Sequence, residues 1–479
     1  MELISPLDSM FLLGESREHP MHVAGLQLFE PPKGSGPEFL RDLYQDVLAR
    51  DDVAPTFRKH PAEFLGGIAN LTWAFDRDLD LEYHLRRSAL PSPGRVRELL
   101  ELTSRLHGSL LDRHRPLWET HLVEGLNDGR FAVYTKIHHA LLDGVSAMRM
   151  IRRALSDDPK DVEARVMWAL NGRPPGKGKA ASSRLGAVRG VADSVLGLGP
   201  SALHLANKGL LQQQLTLPVG APRTIFNVPI GGARRVAAQS WPIERVMAIK
   251  KAAGVTLNDV VLAMCGGALR AYLLEQKALP DRPLIAMVPV SLREEGSANS
   301  GGNQVGALLA SLATDREDPA ERLAEVSASM SRNKAVFKEL PKLQQVALSA
   351  FNVSPLLLSL VSPALGSAAP PFNLVISNVP GSREPLYWRG ARMDGNYPLS
   401  IALDGQALNI TLSNNADNLD FGLVGCRRSV PSLQRLLGHL EDSLSELEQA
   451  VGTAGGKTAA TRRRKAAAPS AKRATTGDK

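Results

Sequence analysis

One stretch of this chain leaves little choice of local structure. Phe131-Ala132-Val133-Tyr134-Thr135-Lys136-Ile137 mixes β-branched and aromatic residues and reads as a strand. His138-His139-Ala140-Leu141-Leu142-Asp143-Gly144 follows as a turn, and Val145 to Leu155 then carries helical spacing. Successive strand side chains face opposite sides. Continuing that alternation sets His139 with Val133, Thr135 and Ile137, and His138 with Tyr134 and Lys136. Two adjacent histidines at a strand end therefore do different work, one facing a channel and the other packing. Imidazole, with an ordinary pKa of about 6.5, suits a general base near neutrality. Asp143 caps the following helix, orients the histidine, or pairs with an arginine. An isolated HxxxD spacing would more often be a core histidine followed by a capping aspartate.

At 479 residues the chain is too long for one hydrophobic core, so two lobes with accessory pieces are expected. Helical and strand-like patterns alternate through 1–170, with amphipathic helices at Glu38 to Ala49 and Val96 to Leu111. A Gly/Pro/Lys-rich segment, Asn171 to Ser183, breaks the pattern, and a helix-spaced stretch at 185–198 completes a connector spanning 171–220. A second lobe is expected over 221–452, with a buried helix at Thr256 to Leu274, strands near Leu284 to Pro289 and Leu408 to Leu412, and a closing helix at Ser432 to Ala450. Residues 453–479 read as a disordered basic tail.

The net charge of +8 belongs to that tail. From Val451 onward there are eight Lys/Arg and one acidic residue, Asp478, leaving the other 450 residues near +1. Nucleic acid is therefore not the expected partner. The two cysteines, Cys265 and Cys426, fit neither a disulfide framework nor a zinc site, and no metal is expected. No leader-like run follows Met1, and the longest apolar stretch, around Pro355 to Leu365, is too short to span a bilayer. A cytoplasmic protein is expected, with peripheral contact at the inner membrane face or at lipid inclusions through the tail.

Further motifs accompany the histidines. They are Pro6-Leu7-Asp8-Ser9-Met10-Phe11-Leu12, Pro116-Leu117-Trp118, Asn258-Asp259, and Asn373-Leu374-Val375-Ile376-Ser377-Asn378-Val379-Pro380-Gly381. In chain order they and the histidine segment resemble the PLDxxFL, PLW, HHxxxDG, ND and SNVPG blocks of the bacterial wax ester synthase/diacylglycerol acyltransferase family, within the HxxxD acyltransferases. Ser382 departs from the pattern, which often has a second proline there, and is expected to adjust a loop only. The resemblance implies an α/β fold of two lobes like chloramphenicol acetyltransferase, with a substrate tunnel between them. It also implies acyl-CoA as co-substrate, no bound cofactor, and diacylglycerol or a long-chain alcohol as acceptor, meeting at His139.

The remaining site residues are read individually. Asn258 opens an apolar helix, where it either stabilises an oxyanion or shares capping with Thr256, while Asp259 supports the turn. Asp8 is expected to fix a turn. Gly144 ends the histidine turn, Pro116 and Trp118 pack at a strand start, and Ser377-Asn378-Val379-Pro380-Gly381 reads as strand then turn, since Asn, Pro and Gly together break regular structure; its place in the family pattern implies a channel wall. Arg293 resembles the arginine that pairs with the HxxxD aspartate, so either an Asp143–Arg293 ion pair or an arginine on the surface is expected. Two competing readings are a transferase using a carrier-bound acyl donor or a non-lipid alcohol, and a non-catalytic lipid-binding or droplet protein. Turnover of acyl-CoA with an apolar alcohol separates the first reading from the others, and failure with both diolein and hexadecanol favours the carrier-bound one.

Overall fold

The computed structural model describes residues 2–62, 72–169, 220–291, 305–339 and 370–453. The connector at 171–183, the stretch at 185–198, Arg293, the apolar run at 355–365 and the basic tail lie outside the described residues. The first half runs β1 (Glu2–Leu3), α1 (Pro6–Gly14), β2 (His22–Glu30), α2 (Phe39–Leu48), β3 (Lys59–Pro61), β4 (Thr72–Phe75), α3 (Leu81–His84), β5 (Leu85–Ala89), α4 (Val96–Gly108), β6 (Trp118–Glu124), β7 (Phe131–His138) and α5 (Gly144–Arg153). The second half runs β8 (Arg234–Pro242), α6 (Ile243–Ala253), α7 (Leu257–Glu275), β9 (Ile285–Ser291), β10 (Val305–Ser311), α8 (Pro319–Glu339), β11 (Leu374–Ser382), β12 (Tyr387–Trp388), β13 (Ala391–Leu399), β14 (Leu408–Asn415), β15 (Asn418–Cys426) and α9 (Arg435–Ala450).

Two six-stranded sheets organise the molecule, in the orders β12-β13-β2-β7-β6-β5 and β10-β9-β11-β14-β15-β8. The first does not respect the break in sequence. β13 comes from the second half, yet pairs antiparallel with β2 from Arg392 opposite Glu30 to Leu399 opposite Ala24. One lobe thus hydrogen-bonds a strand of the other into its own sheet.

All eight residues of β7 are buried. On one face Leu26, Ala132 and Tyr134 join a core shared with second-half residues such as Trp241 and Val260. On the other, Val23, Val133 and Ile137 pack with Trp118, Ala147 and residues of α2. A strand covered on both sides carries no inside/outside alternation. α7 has the length and composition of a bilayer span, with 19 residues and mean hydropathy 1.3, but 72% of that window is buried. It packs against α6, α8 and α9 as a core helix, as its all-round apolarity requires.

Two local expectations change. Pro6 to Leu12 is no turn: α1 begins there, capped by the Ser5 hydroxyl, which accepts the Asp8 N–H at 3.1 Å, with Pro6 in the first turn, where its missing N–H costs nothing. Ser377-Asn378-Val379-Pro380-Gly381 does not turn after its strand. β11 continues through it to Ser382, with an irregularity between Val379 and Ser382 that lets the parallel pairing with β14 resume at Asn415. Exposed Pro380 fits at that irregularity, where a ladder donor is not needed. Gly381 is required by a close approach, since a Cβ there would meet the Asn414 carbonyl oxygen at 1.9 Å.

Beneath the end of β7 lies a layer of buried neutral histidines. His107 Nδ1 and Nε2 contact the Tyr134 hydroxyl at 3.0 Å and the Ser400 carbonyl at 3.2 Å, and His22 Nε2 meets the His107 carbonyl at 3.0 Å. Burial drives the His107 pKa down to about 3 and those of His22 and His84 below their ordinary value. In the unfolded chain these groups take up protons near pH 6.5, whereas the native state refuses them. Their contribution to stability is complete above about pH 6.5 and is lost as pH falls toward the native values. Asp420, raised to about 7 by burial, and Asp8, also raised, act in the opposite sense, but the histidines outnumber them. The thermal midpoint is therefore expected to fall between pH 7 and pH 5, with a shallower fall in His107→Gln, as read by calorimetry; a flat wild-type profile would refute this. Gly381→Ala is expected to destabilise by about 1–3 kcal/mol through overpacking, visible as a lower urea midpoint.

Candidate active site

The histidine pair occupies the point where β7 leaves its sheet. His138 is the last paired residue, opposite His22, and its N–H donates to the Leu117 carbonyl at 3.0 Å. That bond links Pro116-Leu117-Trp118 to the site. His139 lies one residue beyond the strand, and its N–H donates to the Met21 carbonyl at 2.8 Å.

The two side chains have different surroundings. His138 is fully buried. Its Nδ1 accepts the Ala140 N–H at 3.1 Å, so the proton sits on Nε2, which faces Glu15 Oε1 at 3.3 Å. His139 is partly exposed and stacks on Phe11 of α1, with ring centroids 4.0 Å apart. Its Nδ1 is buried and has no hydrogen-bond partner among the described residues. Among the described residues nothing hydrogen-bonds its Nε2. Burial lowers the His139 pKa to about 4, against an upward pull from Asp143, so the imidazole is neutral at pH 7.

Asp143 caps α5. Its two carboxylate oxygens accept the Ser146 N–H at 2.9 Å and the Ser146 hydroxyl at 2.7 Å. The proposed partner Arg293 falls outside the described residues. Gly144 opens the helix in a spacious position, where a Cβ would meet only Val23, at 3.9 Å.

The N-terminus of α7 resolves the two readings of Asn258 in one respect. Thr256 is the cap: its hydroxyl accepts the Asp259 N–H at 3.3 Å, while Asp259 Oδ2 accepts the Thr256 N–H at 2.9 Å and the Ser327 hydroxyl at 3.2 Å. Asp259 thus supports the turn, and Asn258 is free of capping. Its Oδ1 instead accepts the Asn378 amide at 3.2 Å, which leaves the Asn258 NH2 as a donor not used in that bond. Ser377 stays in the β11 ladder opposite Thr411. Trp118 is a packing residue. It stacks between His84 and Trp168 at 4.7 and 4.9 Å, and its indole N–H donates to the Phe57 carbonyl at 2.9 Å.

α5 packs against β11, and between them lies a cavity of about 110 Å³ lined by Val145, Met148, Arg152, Pro380 and Ser382. A cavity of about 310 Å³, lined by Leu28, Leu100, Arg130, Ser240 and Tyr397, lies at the opposite end of β7 from the histidines. Among the described residues no cluster of His, Cys, Asp or Glu is arranged to hold a metal ion.

Phe11 and Glu15 escaped the sequence reading. Both sit on or just after α1, some 125 residues before the histidines, and only the PLDxxFL block hinted that this helix mattered. Buried Glu15, between Gly14 and Ser16, had no local signal at all.

The chain and its fold are similar to known proteins. Residues 4–261 match the wax ester synthase/diacylglycerol acyltransferase catalytic domain, and residues 301–448 match the WS/DGAT C-terminal domain. A Mycobacterium tuberculosis H37Rv protein named as a diacylglycerol O-acyltransferase, tgs2, is 64% identical over 456 residues, covering 94% of this chain and 100% of that one. The solved wax ester synthase/diacylglycerol acyltransferase from Marinobacter aquaeolei VT8 superposes with a TM-score of 0.78 at 41% identity, over 94% of this chain and 100% of that one. The first condensation domain of the calcium-dependent antibiotic synthetase shares the fold alone, with a TM-score of 0.56 at 17% identity over 95% and 98% of the two chains. By sequence along both halves and by fold, the chain belongs to the wax ester synthase/diacylglycerol acyltransferase family.

Proposed function

We propose that this acyltransferase moves a fatty acyl group from acyl-CoA to the hydroxyl of diacylglycerol or a long-chain alcohol, with His139 as general base. The observation that carries the reading is the state of the His139 imidazole. One ring face is covered by Phe11, Nδ1 is buried, and a depressed pKa keeps the ring neutral, so Nε2, which has no partner among the described residues, is the nitrogen left to meet a hydroxyl. The acceptor hydroxyl gives its proton to Nε2 as its oxygen attacks the thioester carbonyl carbon. The C–S bond then breaks, the thiolate takes the proton back from Nε2, and ester and CoA leave. The place of Asn258 in the first turn of α7, at the positive end of that helix, with its Oδ1 already held by Asn378, supports a role for its NH2 in stabilising the tetrahedral oxyanion.

Direct transfer needs no acyl-enzyme. Cys265, inside α7, has a thiol pushed up to about 12 by burial, which removes it as a nucleophile. The names of the tgs2 relative and of the Marinobacter enzyme support diacylglycerol and fatty alcohols as acceptors. The basic tail supports electrostatic contact with an anionic lipid surface, where such acceptors reside.

Labelled palmitoyl-CoA with diolein and with hexadecanol tests the reaction. The wild type is expected to form labelled ester, and His139→Ala to lose about 10²–10⁴-fold in rate; comparable rates in the two proteins would sink the mechanism. The acid limb of kcat/KM is expected near pH 4, where His139 becomes protonated, with a plateau through neutrality; a limb at 6.5 would contradict the buried, neutral base. Deleting 454–479 is expected to weaken binding to phosphatidylserine vesicles at low salt more than at high salt, and salt-independent loss would argue against electrostatic attachment.

A further inference from the structure

The geometry points to Glu15 as a positioning residue for acyl transfer, closing a ring of polar contacts around the His139 backbone; this rests on His139 being the base. Glu15 Oε1 accepts the Met21 N–H at 3.2 Å, and the Met21 carbonyl accepts the His139 N–H at 2.8 Å. The next N–H, that of Ala140, donates to His138 Nδ1 at 3.1 Å, and His138 Nε2 returns to the same Glu15 oxygen at 3.3 Å. The peptide groups on either side of the His139 α-carbon are therefore each tied, through one intermediary, to a single carboxylate.

That carboxylate is built to stay charged inside the protein. Its side chain is 2% exposed, and Oε2 accepts the Arg113 Nε–H at 2.9 Å, while Arg113 also donates to the Leu12 carbonyl at the end of α1. Burial alone would raise its pKa, but His138, Arg113 and the Met21 N–H more than offset this and hold it below the ordinary value. Breaking such an arrangement from one side strands buried donors. Phe11, one helical turn earlier, lies on the His139 ring. One short element thus grips both histidines, fixing the backbone through Glu15 and the imidazole plane through Phe11.

The constraint matters because His139 stands beyond the last ladder bond of β7, where the sheet no longer sets its position. A displacement of roughly 1 Å at a reacting group can cost about 10²-fold in rate.

Glu15→Gln tests this. The substitution keeps shape but puts an amide donor against groups that are themselves donors. In the folded variant kcat is expected to fall roughly 10–100-fold, with KM for palmitoyl-CoA and for the acceptor within about 3-fold of wild type. Amide hydrogen exchange in a peptide spanning 138–142 is expected to accelerate. Glu15→Asp, which keeps the charge but shortens the reach, is expected to fall between the two. A residue with only a structural role would lower the thermal midpoint and leave kcat of the folded fraction unchanged. Wild-type kcat together with unchanged exchange in Glu15→Gln would overturn the proposal. If that variant does not fold, the same two readouts in Glu15→Asp decide it. A wild-type protein that fails to acylate either acceptor would refute the functional reading instead, and the exchange measurement would still decide whether the ring holds.

Discussion

The burial of β7 on both faces is the constraint from which the site follows. A central strand with apolar cores above and below cannot shift register without exposing one of them. It is held by β2 on one side and β6 on the other, in sheet register along their length. The position of His138 at its end is therefore set by the packing of the whole first sheet. Because β13 completes that sheet from the second half of the chain, the same packing also fixes how the two lobes meet. A residue placed one step past the end of such a strand is held firmly while facing space that the sheet does not fill.

Two covalently adjacent histidines consequently live in unlike environments. His138 is held through its N–H and Nδ1, and its Nε2 faces the Glu15 carboxylate at 3.3 Å. His139 has its backbone held and one ring face covered, with no partner on Nε2 among the described residues. Burial without a compensating carboxylate bond keeps its ring neutral. Asp143, bonded to Ser146, affects it through space and through the rigidity of the turn. The buried histidines beneath the strand follow the same rule, and they link the acid tolerance of the fold to the region that carries the chemistry.

Local reasoning succeeded where the determinants were local. Phe131 to Ile137 and the helix after Gly144 were legible because strand and helix periodicities and a capping aspartate act over a few residues. The all-round apolarity of Val260 to Leu273 marked a buried helix, and the structure buries it. Alternation along β7, however, could not separate a channel face from a packing face, since both faces of that strand are covered; the distinction between His138 and His139 comes from where the ladder ends. Pro380 and Gly381 were read as a turn because they usually break strands. Here one sits at an irregularity and the other admits the Asn414 carbonyl, and neither circumstance is visible without β14.

By itself the sequence determined the strand, turn and helix that present His139, the two-part length of the chain, the neutral body with its basic tail, and the motif order that marks the family. Tertiary structure alone decided that Glu15 and Phe11 reach the histidines, that Asn378 orients Asn258, and that β13 belongs to the first sheet. The physical reason is separation along the chain. Propensity and periodicity report on neighbours within a turn or two, whereas these contacts join residues more than a hundred positions apart and exist only once both cores have closed around β7.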